Sequence, residues 1–192
     1  MFTEQQLKAM IHRETISKQY PYSEQDDDVL LNYVKPLLAE LSRAKIRYTL
    51  EANHFGSGYA SYIQLICYTD EFVTITEHND EREEERHGLF VLISRLAPVA
   101  AIVNDAMEFV RFNEDGKKTG AGKTMVDFPA LHIDEKYKKL ANDITRLLMK
   151  YHFTLLQMPD VDKPLPFDEH IHTLSRPKGQ YLVWDAVFYW ED

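Results

Sequence analysis

One short segment of the chain has residue types and spacing that could bind a metal ion. Asp168, His170 and His172 alternate with other residues, so in an extended chain their side chains point to the same side. Two imidazoles and a carboxylate on one face suit a transition metal. The alternative is a polar surface stretch after a proline-rich connector, and a metal site usually needs further ligands. These residues are therefore a candidate metal site, and the sequence predicts no cofactor.

A second segment, Gly122-Lys123-Thr124, contains the end of a nucleotide-binding motif without the rest of it. A phosphate-binding P-loop requires a glycine at the position that Lys117 occupies, and Gly116 lies one residue too early. A P-loop must also open a helix, so that backbone amides meet the phosphates. We therefore interpret 117–123 as a flexible, glycine-rich loop between two strands.

A loop that combines glycine with aromatic residues is the first candidate for contact with a partner protein. Phe55 and Tyr59 lie on either side of the pair Gly56 and Gly58. Aromatic side chains on a loop supply a large contact area and often anchor interfaces. The alternative, equally consistent with the sequence, is that both rings fold back over the core.

A run of charged residues is the second candidate for partner contact. It contains four glutamates: Glu81, Glu83, Glu84 and Glu85. Arg82 and Arg86 lie in the same run, and pairing with these glutamates would make the run an ordinary solvated face. We predict a partner-binding site formed by the four glutamates together with Phe55 and Tyr59.

The overall charge favours some partners over others. The chain of 192 residues has 22 Lys and Arg against 31 Asp and Glu, a net charge of −9. An acidic protein repels phosphate backbones, so we expect no nucleic acid partner. A basic protein is an electrostatically easier partner, although the same charge also serves solubility alone.

Cysteine content and hydropathy indicate the compartment. Cys67 is the only cysteine, so no internal disulfide can form. The first ten residues are polar and lack the apolar centre of a signal peptide. The longest apolar stretches, 89–93 and 96–103, fall short of the roughly 20 residues that a membrane span requires. These features predict a cytoplasmic protein without a membrane partner.

Capping signals predict three helices. Thr3 and Gln6 form a capping-box pattern at the start of the first helix. Ser23, followed by acidic residues, marks the start of the second helix. Pro36 lies inside this second helix and is expected to kink or restart it. Asp134 is the predicted cap of the third helix.

Alternation of apolar residues predicts a series of strands. The main pleated segments are expected over 46–52, 61–69, 72–76, 89–93, 99–103 and 107–112. The highly charged segment 77–87 is interpreted as an exposed loop or a frayed helical turn. A short strand is expected over 153–157, and an extended connector over 158–167 because of its prolines. For 181–190 a strand is favoured, although the spacing also suits one face of a helix.

These elements define the expected fold class. Runs of strands without intervening helices favour antiparallel pairing. The sequence therefore predicts an α+β fold with a mainly antiparallel sheet of about five to seven strands, packed against two N-terminal helices and one later helix. No repeat or linker divides the chain, so we expect a single domain over 1–192.

Two segments, 89–102 and 184–190, resemble parts of bacterial immunity proteins that partner polymorphic toxins. The resemblance implies a small, acidic, cytoplasmic and non-enzymatic protein, and it carries no site residue. With the negative charge and the lack of a catalytic motif, it leads us to expect a protein that neutralises or regulates a protein partner. The alternative is a small-molecule or metal-dependent enzyme with a pocket between the sheet and its helices. The sequence leaves the oligomeric state open.

Overall fold

A computed structural model describes residues 2–56, 58–78, 81–126, 131–173 and 176–191. The fold is α+β, as predicted. The helices α1 to α5 are Glu4–Ile11, Asp27–Arg43, Lys138–Lys150, Met158–Val161 and Val183–Val187. The strands β1 to β9 are Arg47–Glu51, Tyr59–Ala60, Tyr62–Tyr68, Val73–His78, Glu81–Ser94, Val99–Asn113, Lys118–Lys123, Thr154–Leu155 and Trp190–Glu191.

The β5–β6 hairpin is the centre of one large sheet. The strand order is β1-β3-β5-β6-β7, and each of these neighbours is antiparallel. β4 pairs with the same side of β5 as β3 does, but nearer the start of β5. β8 adds in parallel to the start of β6, and β2 pairs with β9 in a separate ribbon. The sheet is therefore mainly antiparallel, as the runs of strands predicted.

Helices cover both faces of the half of the sheet that contains β3. Ile63, Leu65 and Cys67 lie in one core with residues of α2 and α3. The alternate residues Ile66 and Tyr68 lie in a second core with residues of α1 and α5. Because both faces are covered, all of β3 is buried, which explains its continuous apolar character.

The other half of the sheet extends beyond this helix-covered part. We call it the distal sheet; it consists of β4, β7 and the segments 81–88 of β5 and 106–113 of β6. A bulge separates the two halves, since Asn104 and Asp105 both lie opposite Leu89. Asp105 takes a positive φ of 59° there, and such a bulge bends and twists the sheet.

Gly88 lies at the same junction, where β3 ends and β4 begins along β5. A Cβ atom at Gly88 would lie 2.1 Å from the carbonyl oxygen of Cys67. No side chain fits at that distance, so the close approach of β3 to β5 requires glycine.

The predicted loop or helical turn over 77–87 is wrong, because the described part of this segment is strand, at the end of β4 and the start of β5. Cross-strand partners of opposite charge stabilise this charged strand; for example, Arg86 lies 2.9 Å from Glu108. The predicted flexible loop over 117–123 is also wrong, since β7 pairs with β6. The strands expected over 99–103 and 107–112 are one continuous strand, β6.

Helix α2 begins at a different residue from the predicted one. Tyr22–Glu24 form a 3-10 turn, so Ser23 lies before the helix. Asp26 caps it instead, and its side chain accepts the backbone N–H of Asp28 at 2.8 Å. The helix continues without a break through Pro36. Proline has no N–H group, so one backbone carbonyl of the preceding turn lacks its helical hydrogen bond, and because Pro36 is exposed this carbonyl is open to water.

The strand favoured over 181–190 is wrong, because α5 occupies the middle of that segment and only Trp190–Glu191 is strand. The Asp185 carboxylate starts the helix by accepting the N–H of Leu182 at 2.8 Å. Every residue of α5 is buried, so its apolar residues show no helical periodicity.

Smaller differences concern the connections around α3 and α4. Asp134 heads a 3-10 turn that leads into α3, and its side chain makes no capping bond. The strand expected over 153–157 is confined to Thr154–Leu155. The connector over 158–167 begins with the short helix α4. Within the described ranges, no helix combines the length and apolar character needed to cross a bilayer.

Replacing Gly88 by alanine is expected to lower the free energy of unfolding by about 2 kcal/mol, because the new Cβ would overlap the Cys67 carbonyl. Gly120→Ala in β7 is the matched control, since its Cβ would lie 3.9 Å from the nearest atom. Urea denaturation of both variants measures the difference. Equal stability would mean that the junction between β3 and β4 relaxes freely.

Candidate functional site

A cavity of about 440 Å³ lies where the end of α1, the start of α2 and the turn after β5 meet. We call it the loop cavity, because the loop that carries Tyr59 forms one wall. Its charged and aromatic lining residues are Arg13, Tyr22, Glu24, Asp26, Asp27, Tyr59 and Arg95. The cavity therefore brings together residues that are far apart in the sequence.

Arg95 links the elements that form this cavity. Its side chain is only 2 % exposed, and its Nη1 lies 2.8 Å from Oδ1 of Asp27. Its Nη2 donates to the carbonyl oxygen of Ala52 at 2.7 Å. A buried guanidinium needs such a partner, because an unpaired buried charge is strongly destabilising. The pair thus fixes the first turn of α2 to the end of β1 and the turn after β5.

His54 extends this contact to the aromatic loop. Its Nε2 lies 3.2 Å from Oδ2 of Asp27, and its Nδ1 accepts the backbone N–H of Ala60 at 3.0 Å. Since Nδ1 is an acceptor, the proton of the neutral ring lies on Nε2 and points to Asp27. Both ring nitrogens are engaged, so His54 has no free nitrogen to act as a general base.

Tyr59 packs between a ring and a cation at the mouth of the cavity. Its ring stacks on His54 with centroids 5.4 Å apart, and the Arg13 guanidinium lies 4.4 Å from the Tyr59 centroid. Arg13 in turn lies 2.8 Å from the Glu191 carboxylate. Burial raises the pKa of Tyr59 to about 12, so the phenol stays protonated at neutral pH.

The segments that form this cavity contain strained backbone. Arg13, Gln25, His54 and Phe55 have positive φ values of 62°, 51°, 48° and 57°. Each such residue costs on the order of 1 kcal/mol or more and persists only where its surroundings impose it. Two of these residues also make side-chain contacts, Arg13 with Glu191 and His54 with Asp27.

Phe55 and Tyr59 both fold back onto the protein, which is the second of the two alternatives that the sequence left open. The Phe55 ring lies 5.1 Å from that of Trp190 and 5.9 Å from that of Tyr62. The Tyr59 ring lies 5.9 Å from that of Tyr189. Both rings remain half-buried, so they offer only part of their surface to a partner.

The four predicted glutamates of β5 divide between the two faces of the distal sheet, because strand side chains alternate. Glu84 lies on the same face as Arg82 and Arg86, and it contacts Arg82 at 2.6 Å and Arg86 at 2.9 Å. The hydrogen bond from Arg86 lowers the pKa of Glu84 below its usual value. Arg86 also bridges to Glu108, which accepts the hydroxyl of Thr49 from β1 at 2.6 Å.

The other three glutamates lie on the opposite face of the strand. Glu83 contacts Arg111 at 2.5 Å, and Glu85 contacts His87 at 2.5 Å. Glu81, by contrast, forms no ion pair with any residue that the structure describes. Within the predicted acidic run, Glu83 and Glu84 are thus paired with arginines of the chain, Glu85 contacts a histidine, and Glu81 has no ion pair among the described residues.

Glu81 borders a second cavity, of about 410 Å³, at the tip of the distal sheet. We call it the tip cavity; it is lined by Glu77, Glu81, Arg82, Phe112, Asn113, Glu114 and Gly116. Glu77 and Glu114, like Glu81, form no ion pair with the described residues. Arg82 is engaged with Glu84. The tip cavity thus has the unpaired carboxylates of Glu77 and Glu114 near the half-buried ring of Phe112, whereas alternation along β5 places the Glu81 side chain on the opposite face from Arg82 and Phe112.

The candidate metal residues do not converge. The rings of His170 and His172 lie 4.7 Å apart, and Nδ1 of His170 is 3.0 Å from the Tyr181 hydroxyl. The Asp168 side chain is 80 % exposed and faces Lys178 at 3.9 Å. Over the described ranges, no three His, Cys, Asp or Glu side chains lie close enough to hold a metal ion.

Cys67 is a buried thiol rather than an accessible nucleophile. It lies in the core formed with α2 and α3 and is fully buried. Burial raises the pKa of the thiol to about 12, so little thiolate forms at neutral pH.

Comparisons with protein-family models, with curated sequences and with solved structures give no match for this chain.

Replacing Asp27 by asparagine is expected to lower the free energy of unfolding by about 2 kcal/mol, because it removes the carboxylate that compensates buried Arg95. Asp28→Asn is the matched control, since Asp28 is the next residue of the same helical turn and is exposed. Urea denaturation compares the two variants. A change at Asp27 no larger than that at Asp28 would show that water replaces the carboxylate without loss.

Proposed function

We propose that this protein binds a basic protein partner and neutralises or regulates it, as the immunity proteins that the sequence resembles do with toxins. The observation that carries this proposal is the tip cavity, where Glu77, Glu81 and Glu114 remain without an ion-pair partner among the described residues. Elsewhere on the distal sheet, glutamates pair with arginines of the chain itself.

The chemistry of the tip cavity suits a lysine or arginine side chain of a partner. The carboxylates of Glu77 and Glu114, with that of Glu81 on the adjacent face, favour a cation, and the Phe112 ring offers an apolar and cation-binding surface. Arg82 is fixed by Glu84 at 2.6 Å and so cannot neutralise all three carboxylates. A partner cation would be their counter-charge.

The net charge of −9 supports the same class of partner. Long-range attraction raises the rate of encounter with a basic protein, and contacts at the cavity then set specificity. The alternative, an enzyme with its pocket at the loop cavity, has less support, because His54 uses both ring nitrogens and Asp27 both oxygens in contacts within the chain.

Reversing the charge of two tip-cavity residues, with Glu81→Lys and Glu114→Lys combined, is expected to slow association with the partner about tenfold at low salt. The reason is that cations would then face the partner's cations. The partner is captured from cells that contain this protein, purified, and mixed with each variant in stopped-flow experiments at increasing salt.

The matched control combines Glu14→Lys with Glu135→Lys, two exposed glutamates outside the distal sheet. It changes the net charge by the same amount, so only a local effect distinguishes the two variants. Equal association rates for the two double variants would remove the tip cavity from the proposal.

A further inference from the structure

The free edge of β4 is a further candidate surface. β4 pairs with β5 on one side, and on its outer side no strand of the described residues pairs with it. Its residues Thr74 to Glu77 are exposed, and the side chain of Ile75 is 53 % exposed. An edge of this kind presents unpaired backbone N–H and C=O groups and can accept another strand.

β4 lacks several of the features that protect a strand edge. It contains no lysine and no proline, and its register with β5 is unbroken. Its first four residues, Val73 to Thr76, are all β-branched and favour the extended conformation. On the opposite edge of the distal sheet, β7 has Lys118 and Lys123 at its ends, and its pairing with β6 shifts register. The two edges therefore differ in what they can accept.

Charge selects the kind of segment that fits β4. Glu77 belongs to β4, and Glu81 pairs with His78 at the same end. Both glutamates also line the tip cavity. A strand added to β4 would therefore end beside that cavity, and a lysine or arginine in it would reach the carboxylate of Glu77. An acidic segment would be repelled at the β4 edge by these glutamates. A basic segment would be repelled at the opposite edge of the distal sheet by the lysines of β7.

We infer that β4 accepts an extended, basic segment of the partner as an added antiparallel or parallel strand. Backbone hydrogen bonds to β4 hold the segment, an apolar side chain covers Ile75, and a cationic side chain enters the tip cavity. β4 has six residues, which span about 20 Å and so match a segment of similar length. This inference rests on the proposed function and specifies how the partner binds.

The experiment uses a peptide of about ten residues that alternates lysine with valine, long enough to cover β4. Its control has the same sequence with methylated backbone nitrogens at alternate positions, which keeps the charge and removes the strand donors. Binding to the full chain is measured by fluorescence anisotropy, and amide NMR shifts locate the bound peptide. We expect the methylated peptide to bind at least about tenfold more weakly.

The variant Ile75→Lys adds a cation to the exposed edge and is expected to weaken binding of the unmethylated peptide about tenfold. Met149→Lys is the matched control, because Met149 is also an exposed apolar residue, 63 % exposed, but lies on α3. Unfolding curves confirm that both variants fold. Equal peptide affinities for the two variants would overturn the inference.

Other outcomes separate this inference from the proposed function. Equal binding of the methylated and unmethylated peptides, lost in the Glu81→Lys and Glu114→Lys variant, would leave the charge-based function standing and overturn strand addition. A chain that dimerises, and loses the dimer in Ile75→Lys, would make a second copy the occupant of β4 and overturn the inference. Absence of peptide binding to the wild-type chain would overturn it as well.

Discussion

The pairing of β5 with β6 is the constraint on which the rest of the structure depends. β3, β4, β7 and β8 each pair with one of these two strands. The turn of the hairpin lies in the half of the sheet that is covered on both faces, and its open end lies in the distal sheet. Gly88 and the bulge at Asp105 lie at the boundary between the helix-covered half and the distal sheet. The bulge bends the sheet there, and glycine permits the close approach of β3 to β5. The tip cavity and the free edge of β4 both lie on the distal side of this transition.

Beyond the transition, ion pairs replace apolar packing as the contacts between neighbouring strands. Arg86 links Glu84 of its own strand to Glu108 of β6, and Thr49 of β1 reaches the same carboxylate. Because Glu108 is buried, these bonds are less screened by water than surface pairs and fix the curl of the sheet. Arg111 binds Glu83 on the opposite face. The distal sheet is thus held by its own charges, and only the carboxylates left over at its tip face outwards.

The sequence predicts those parts of the fold whose apolar pattern has one clear period. The alternation in β3 placed Ile63, Leu65 and Cys67 on one face, where the structure has them. Prediction failed where burial or charge removed the period. In α5 every residue is buried, so strand and helix patterns look alike. In the first half of β5, charged residues concealed a strand, because the arginines and glutamates that neutralise them belong to β6 and to alternate positions of β5 itself.

The candidate sites also differ in how far the sequence predicts them. Glu81 could be found in the sequence because the acidic run is local, but Glu77 and Glu114 join it only through the pairing of β4 and β6 with β5. No spacing predicts the contacts among Asp27, His54 and Arg95, since three separate elements supply them.

The two cavities also differ in what their charges do. In the loop cavity Arg95 and Arg13 already have carboxylate partners within the chain, so those charges hold the fold. At the tip the carboxylates lack such partners among the described residues, and a cation from another molecule can neutralise them without breaking any contact that the fold needs.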